Sequence, residues 1–183
     1  MVSRFPTVQR VIAAALSAGT IPVLAHARAI PAASRPLVDA ERKTVTTSKH
    51  AYTTRTSANA GQQTGTVEGI TFGGVIYVQY NGKWRRSPAT PAQMLAQLDT
   101  NVTTATAFSC THVGDESASG AAAAVFTSHT DNEGVKADAR IWVAKGSGLV
   151  LRVEEDRDTG GGDKAHVSIR YDYTNVQAPA GVK

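Results

Sequence analysis

The groups with chemical potential are few and scattered. Downstream of residue 29 the imidazoles are His50, His112, His129 and His166, and Cys110 is the single cysteine of the 183-residue chain. No two of these histidines stand at the i, i+4 or x-two spacing that sets a pair of imidazoles on one metal ion. They read as surface or strand-end residues, and no metal is expected. His112, Asp115, Glu116 and Ser117 bring a base, two carboxylates and a hydroxyl into one short stretch beside Cys110. A hydrolytic nucleophile needs such partners, but it is made by geometry in space rather than by nearness in sequence, and the segment reads as a hairpin turn. Glu154, Glu155, Asp156 and Asp158 form the most acidic run. Hard cations favour oxygen ligands of this kind. The run nevertheless lacks the alternating calcium-loop pattern and begins inside an expected strand, where successive side chains face opposite ways; it reads as a solvated strand end. The nucleophile-elbow, zincin, C-x-x-C and phosphate-loop signatures are absent from the sequence. No catalytic residue and no cofactor is expected, and a hydrolase built on His112 and Ser117 stands as an alternative only.

The aromatic residues are a different resource. Tyr77, Tyr80, Trp84, Trp142, Tyr171 and Tyr173 dominate the later part of the chain. Rings with polar tips can line the mouth of an apolar ligand groove, and they can equally fill a core, which is the plainer reading. If a groove exists, the expected lining is Tyr77, Met94, Leu98, Trp142, Tyr171 and Tyr173.

The elements that position these groups begin after a leader. Arg4 and Arg10 precede an uncharged apolar stretch from Val11 to Ala25, and small residues at Ala25, Ala27 and Ala29 offer cleavage sites. This is the pattern of a Sec-type signal peptide over residues 1–29, interrupted by Gly19 and Pro22 and too short for a membrane span. No cysteine lies near these sites for lipid attachment. Periplasmic or secreted localisation is therefore expected. Removing Arg4, Arg10 and Arg28 leaves 16 basic against 15 acidic residues, and the only dense basic cluster is Lys83, Arg85 and Arg86, so no nucleic-acid partner is expected. The mature chain is long enough for one core without disulfides, and it reads as a monomer. Cys110 is left as a buried inert residue, an intermolecular bridge or a reactive thiol; its place in Ala107-Phe108-Ser109-Cys110 favours burial.

Residues 30–36 read as a flexible tether, and 37–183 as one domain. Leu37 to Lys49 is a first candidate helix, although its threonines and Val45 favour extended structure in the second half. Strands are expected near 51–58, 66–72, 75–80, 106–113, 121–129, 135–143, 149–157 and 165–174, separated by Gly, Asn and Asp turns such as Gly73-Gly74 and Asn81-Gly82. Val167, Ile169, Tyr171 and Tyr173 alternate with polar residues, as in a half-buried antiparallel strand. A second helix has a well-specified start: Thr90 as cap, Pro91 in the first turn and Gln93 closing a capping box. Met94, Leu95, Leu98 and Val102 then share a stripe.

Ile141-Trp142-Val143, Gly148 to Glu154, and Tyr171 to Val176 closing near Pro179 resemble the LolA/LolB-like lipoprotein-carrier superfamily, as does Gly74 to Val78 followed by Gly82-Lys83-Trp84. The resemblance extends loosely from Leu37 to Pro179, with Val150 where the carriers usually have proline. It implies an α+β fold: an open half-barrel of about eight antiparallel strands in meander order, with one or two helices over the concave face. It also implies a non-enzymatic protein sheltering an apolar or acylated ligand there. An envelope protein docking on an exposed sheet edge is the alternative partner.

Overall fold

The computed structural model describes residues 29–57, 63–160 and 164–182. The expected signal up to Ala29 lies outside the described residues except for its last position. Order begins earlier than a tether over 30–36 would allow. Ala32–Ser34 form one helical turn, and α1 runs from Arg35 to Thr46 with Pro36 in its first turn. Ser34 is buried, so packing of this turn, not its Ala-Ser-Pro composition, decides its state.

Leu37, Val38, Ala40 and Thr44 give α1 one buried side. Leu37, at 1% exposure, contributes on the order of 2 kcal/mol through its burial. The threonines stay helical because their hydroxyls find partners. Thr46 Oγ1 donates to the Arg42 and Lys43 carbonyls, and buried Thr44 Oγ1 accepts the Val150 N–H at 2.9 Å. Lys49 then closes the helix from below: its ammonium donates to the carbonyls of Thr44, Val45 and Thr47, matching the negative end of the helix dipole. Burial pushes its pKa down to about 8.

The strands are β1 (Lys49–Ser57), β2 (Gln63–Phe72), β3 (Val75–Tyr80), β4 (Lys83–Arg86), β5 (Ala107–Ala118), β6 (Ala121–Asn132), β7 (Val135–Ala144), β8 (Val150–Asp158) and β9 (Lys164–Asp172). They form one open, curved antiparallel sheet in the order β4-β3-β2-β1-β9-β8-β7-β6-β5. Two meanders, β1–β4 and β5–β9, are therefore joined by pairing of β1 with β9. The helix α2 (Pro91–Thr104) carries the chain from the β4 edge to the β5 edge. Its Thr90–Gln93 capping box forms as expected, and Arg42 Nε ties it to α1 through Asp99 at 2.8 Å.

Two differences from expectation lie on the edges. The short β4 follows the Asn81-Gly82 turn, where both residues have positive φ, as a two-residue hairpin requires. The segment Asp115-Glu116-Ser117 is strand rather than turn. A bulge between His112 and Gly114 lets β5 continue to Ala118.

Register assigns the two faces. Ile141, Val153, Ile169, Thr53 and Val67 are partners across β7-β8-β9-β1-β2 and point to the side bearing α1. There Leu37 and Ala40 pack with Cys110, Phe126, Ile141, Val143 and Val150. Trp142, Arg152, Arg170 and Tyr52 are partners one residue along and point the other way, where Trp142 packs with Ala123, Val125, Ala144 and Leu151.

Candidate functional site

The helix-bearing face is filled unevenly. Over β5–β8, α1 seals it with buried residues. Over β9-β1-β2-β3 the same face carries Ile169, Ala51, Thr53, Val67, Gly69, Ile76 and Val78, all only partly buried. Gly69 and Gly65 keep this strip low: a side chain at Gly65 would meet nothing within 4 Å, and one at Gly69 only the Tyr77 carbonyl at 3.7 Å. On α2, which packs against α1, Leu95 and Leu98 are half-buried and Met94 is 45% exposed; only Val102 of that stripe is buried. An apolar strip thus remains incompletely covered beside a sealed core.

Polar groups mark the boundary between the two halves. Glu41 sits on the sheet-facing side of α1, electrostatically coupled to Glu155 of β8, Tyr171 of β9 and Cys110 of β5. Burial, helped by Glu155, pushes the Glu41 carboxyl up to about 7. Its side chain nonetheless retains some surface. No hydrogen-bond donor among the described residues meets Glu41. The Tyr171 hydroxyl has none either, and burial raises its pKa strongly. Glu155, by contrast, is held by Arg157 Nε at 2.8 Å. Cys110 is buried as expected, and its thiol is pushed up to about 11 by burial and by Glu41.

The six residues expected to line a groove do not converge. Tyr171 lies on the helix-bearing face, packed against the α1 core, and Met94 and Leu98 lie on α2. Trp142 and Tyr77 point to the opposite face, Trp142 by its register with Arg152 and Tyr77 by its pairing with Ile70 and thence His50. Tyr173 lies past the end of β9, packs near the Trp142 cluster and donates its hydroxyl to the Val150 carbonyl. Period two explains the separation, because one position along a strand exchanges faces.

Trp142 serves the outer face. Its ring is flanked by the Arg140 and Arg152 guanidinium groups at 5.2 and 4.9 Å, and its Nε1 donates to Glu116 at 2.8 Å. It lies in a recess of about 540 Å³ with Tyr52, Arg152, Ser168 and Arg170. A second outer recess of about 470 Å³ is bordered by Asp138, Asp156, Arg157, Lys164 and His166. Both walls are rich in charge. His166 bridges Glu154 and Asp156 at 2.8 Å each, which holds its imidazole above the usual range. In the acidic run, Glu154 also accepts from Arg152 and Ser168. No His, Cys, Asp or Glu trio suited to a metal gathers among the described residues.

The hydrolytic grouping also disperses. His112 Nε2 lies 3.4 Å from Asp115, but Asp115 also accepts from Lys145 and Glu116 from Arg140 and Trp142. Ser117 stands further along β5 and is not hydrogen-bonded to His112. Glu41 escaped the sequence reading altogether, since an isolated glutamate on an amphipathic helix looks solvated. Its signal was its place four residues after Leu37, on the same helical face.

No family model matches the sequence, and no curated protein matches it. Solved structures do. LprF from Mycobacterium bovis is 12% identical, with 85% of this chain and 98% of that one covered at a TM-score of 0.44. The Mycobacterium tuberculosis lipoprotein LppX is 11% identical, covering 81% and 96% at 0.41. A LolA superfamily protein from Nitrosomonas europaea is 6% identical, covering 78% and 92% at 0.31. At such identity and overlap these likenesses say nothing of this chain's family or of what it binds. No helix among the described residues is long and apolar enough to cross a membrane.

Proposed function

We propose that this protein is a non-enzymatic, exported envelope protein that binds an apolar or acyl chain on the helix-bearing face of its sheet. The observation carrying this reading is the half-filled face: β5–β8 are sealed by α1, while Ile169, Val67, Ile76 and Val78 stay partly uncovered around Gly65 and Gly69. A monomeric domain gains about 25 cal/mol for each Å² of apolar surface it removes from water, so apolar strips left open beside a completed core mark ligand or partner sites. Of the expected lining, Tyr171 shares this face; Met94 and Leu98 lie on α2, and Trp142 and Tyr77 lie on the other face. The uncleaved precursor's leader supplies the route of export.

The test is uptake of a fluorescent acyl probe by the purified mature protein, with displacement by unlabelled decanol. Saturable binding weakened by Val67→Asp or Val78→Asp is expected. A protein that takes up no acyl probe, while remaining folded by circular dichroism, overturns the proposal. The β5 edge and the hydrolase reading have no comparable observation behind them.

A further inference from the structure

The outer face of the sheet carries two guanidinium groups side by side. We infer that the recess between Trp142 and Tyr52 binds a phosphate ester, received by Arg170 and Arg152 and by the hydroxyls around them. The site lies on the face opposite the apolar strip and stands or falls independently of it.

Register puts the two arginines there. Trp142, Arg152, Arg170 and Tyr52 are successive partners across β7, β8, β9 and β1, so their side chains form one row on strands about 4.8 Å apart. Like charges directly opposite one another on paired strands are destabilising. The rings at the two ends of the row hold them in place nonetheless. The Arg170 guanidinium lies 4.2 Å from the centre of the Tyr52 ring, and that of Arg152 lies 4.9 Å from the centre of the Trp142 ring. Each ring is itself anchored, Tyr52 by a 3.1 Å hydrogen bond between its hydroxyl and His50 Nδ1, and Trp142 by Glu116 at 2.8 Å. A guanidinium stacked by its face keeps its N–H edge for an acceptor.

The nearby acids are already engaged. Glu116 accepts from Arg140 and Trp142, and Glu154 from Arg152, His166 and Ser168. Asp172, two residues beyond Arg170 on the same face, accepts from the N–H and hydroxyl of Thr174. Glu68, opposite Tyr52, pairs with His50. Arg170 makes no hydrogen bond or ion pair among the described residues. Neither do the hydroxyls of Thr54, Ser117 and Ser119, which border the same recess of about 540 Å³.

Unspent donors from β1, β8, β9 and the β5 end thus face one space whose acceptors are taken, which is the chemistry of an anion site. The two coplanar oxygens of a carboxylate are satisfied by one arginine fork. A tetrahedral oxyanion uses donors from several sides, and the volume leaves room for an organic substituent on it.

Calorimetric titration of the purified protein with glycerol phosphate and succinate, dianions of similar size, at low salt and about pH 8 tests the assignment. Glycerol phosphate should bind saturably and several-fold tighter than succinate. Arg170→Gln should weaken it about tenfold or more, the range of a charge-assisted hydrogen bond, and Arg152→Gln several-fold. Arg85→Gln on the β4 edge, with the same loss of charge, should leave it unaltered. Co-sedimentation with phosphatidylglycerol vesicles separates a lipid head group from a soluble ester, and Arg170-dependent binding of either supports the assignment. Succinate binding as tightly as glycerol phosphate, a hexaglutamate peptide binding more tightly than both, or equal losses in Arg170→Gln and Arg85→Gln overturns it. So does failure of the folded protein to bind any of these probes.

Discussion

Glu41→Gln should stabilise the unliganded protein in mild alkali. In the folded chain the Glu41 carboxyl titrates near 7 instead of 4.5, because burial and Glu155 disfavour its charge. Below about pH 4.5 both folded and unfolded states hold the proton, and Glu41 costs nothing. Between about pH 4.5 and 7 the unfolded chain ionises while the folded one keeps its proton. The folded state then binds more protons, so stability falls as pH rises and levels off above 7. At about 1.4 kcal/mol per pH unit the ceiling on this loss is about 3–4 kcal/mol. Glu41 retains some surface, so water softens the penalty, and about 1–2 kcal/mol is the expected size. Urea unfolding of native protein and Glu41→Gln at about pH 4, 6 and 8 measures it. The two should agree at the acidic end and separate progressively, with the variant more stable. Parallel profiles, or a variant less stable at the alkaline end, would show that Glu41 is solvated or paired and would refute its burial beneath α1.

Thr44→Val should destabilise by about 1–3 kcal/mol in urea unfolding, because it keeps shape but leaves the buried Val150 N–H without its acceptor. Cys110, with its thiol near 11 and only 7% exposed, should resist thiol reagents at neutral pH and react fully once the protein is unfolded; rapid labelling of the native state would contradict its burial. Trp142→Phe removes the Glu116 hydrogen bond and weakens the contact with Arg140 and Arg152. A cost of about 1 kcal/mol is expected, with acyl-probe uptake unchanged because the ring lies on the outer face.

Much of the architecture could be read from local rules. The capping box at Thr90, the Asn81-Gly82 turn and the alternation of β7 and β9 each declare themselves within a few residues. What local rules missed depends on distant partners. Thr44 and Thr46 look extended by propensity yet remain helical, since one bonds Val150 and the other its own helix. The strand through Asp115–Ser117 is visible only once the bulge at His112/Gly114 is known. The pairing of β1 with β9 joins segments more than a hundred residues apart. The candidate site was less legible for the same reason. Aromatic residue type singled out Trp142 and Tyr77, while face membership, which follows from register, separates them from Tyr171. Glu41 carries no motif; only the packing of α1 onto β8 and β9 turns it from a surface acid into a partnerless carboxyl.

The central claim is that the uncovered apolar strip over β9-β1-β2-β3 receives an alkyl chain. Methyl-resolved NMR of the protein titrated with decanol addresses it directly. Saturable shifts should be confined to Ile169, Val67, Ile76 and Val78, with Val125 and Leu151 on the opposite face unmoved. Shifts centred on Val125 and Leu151, or none at saturating decanol, would contradict it.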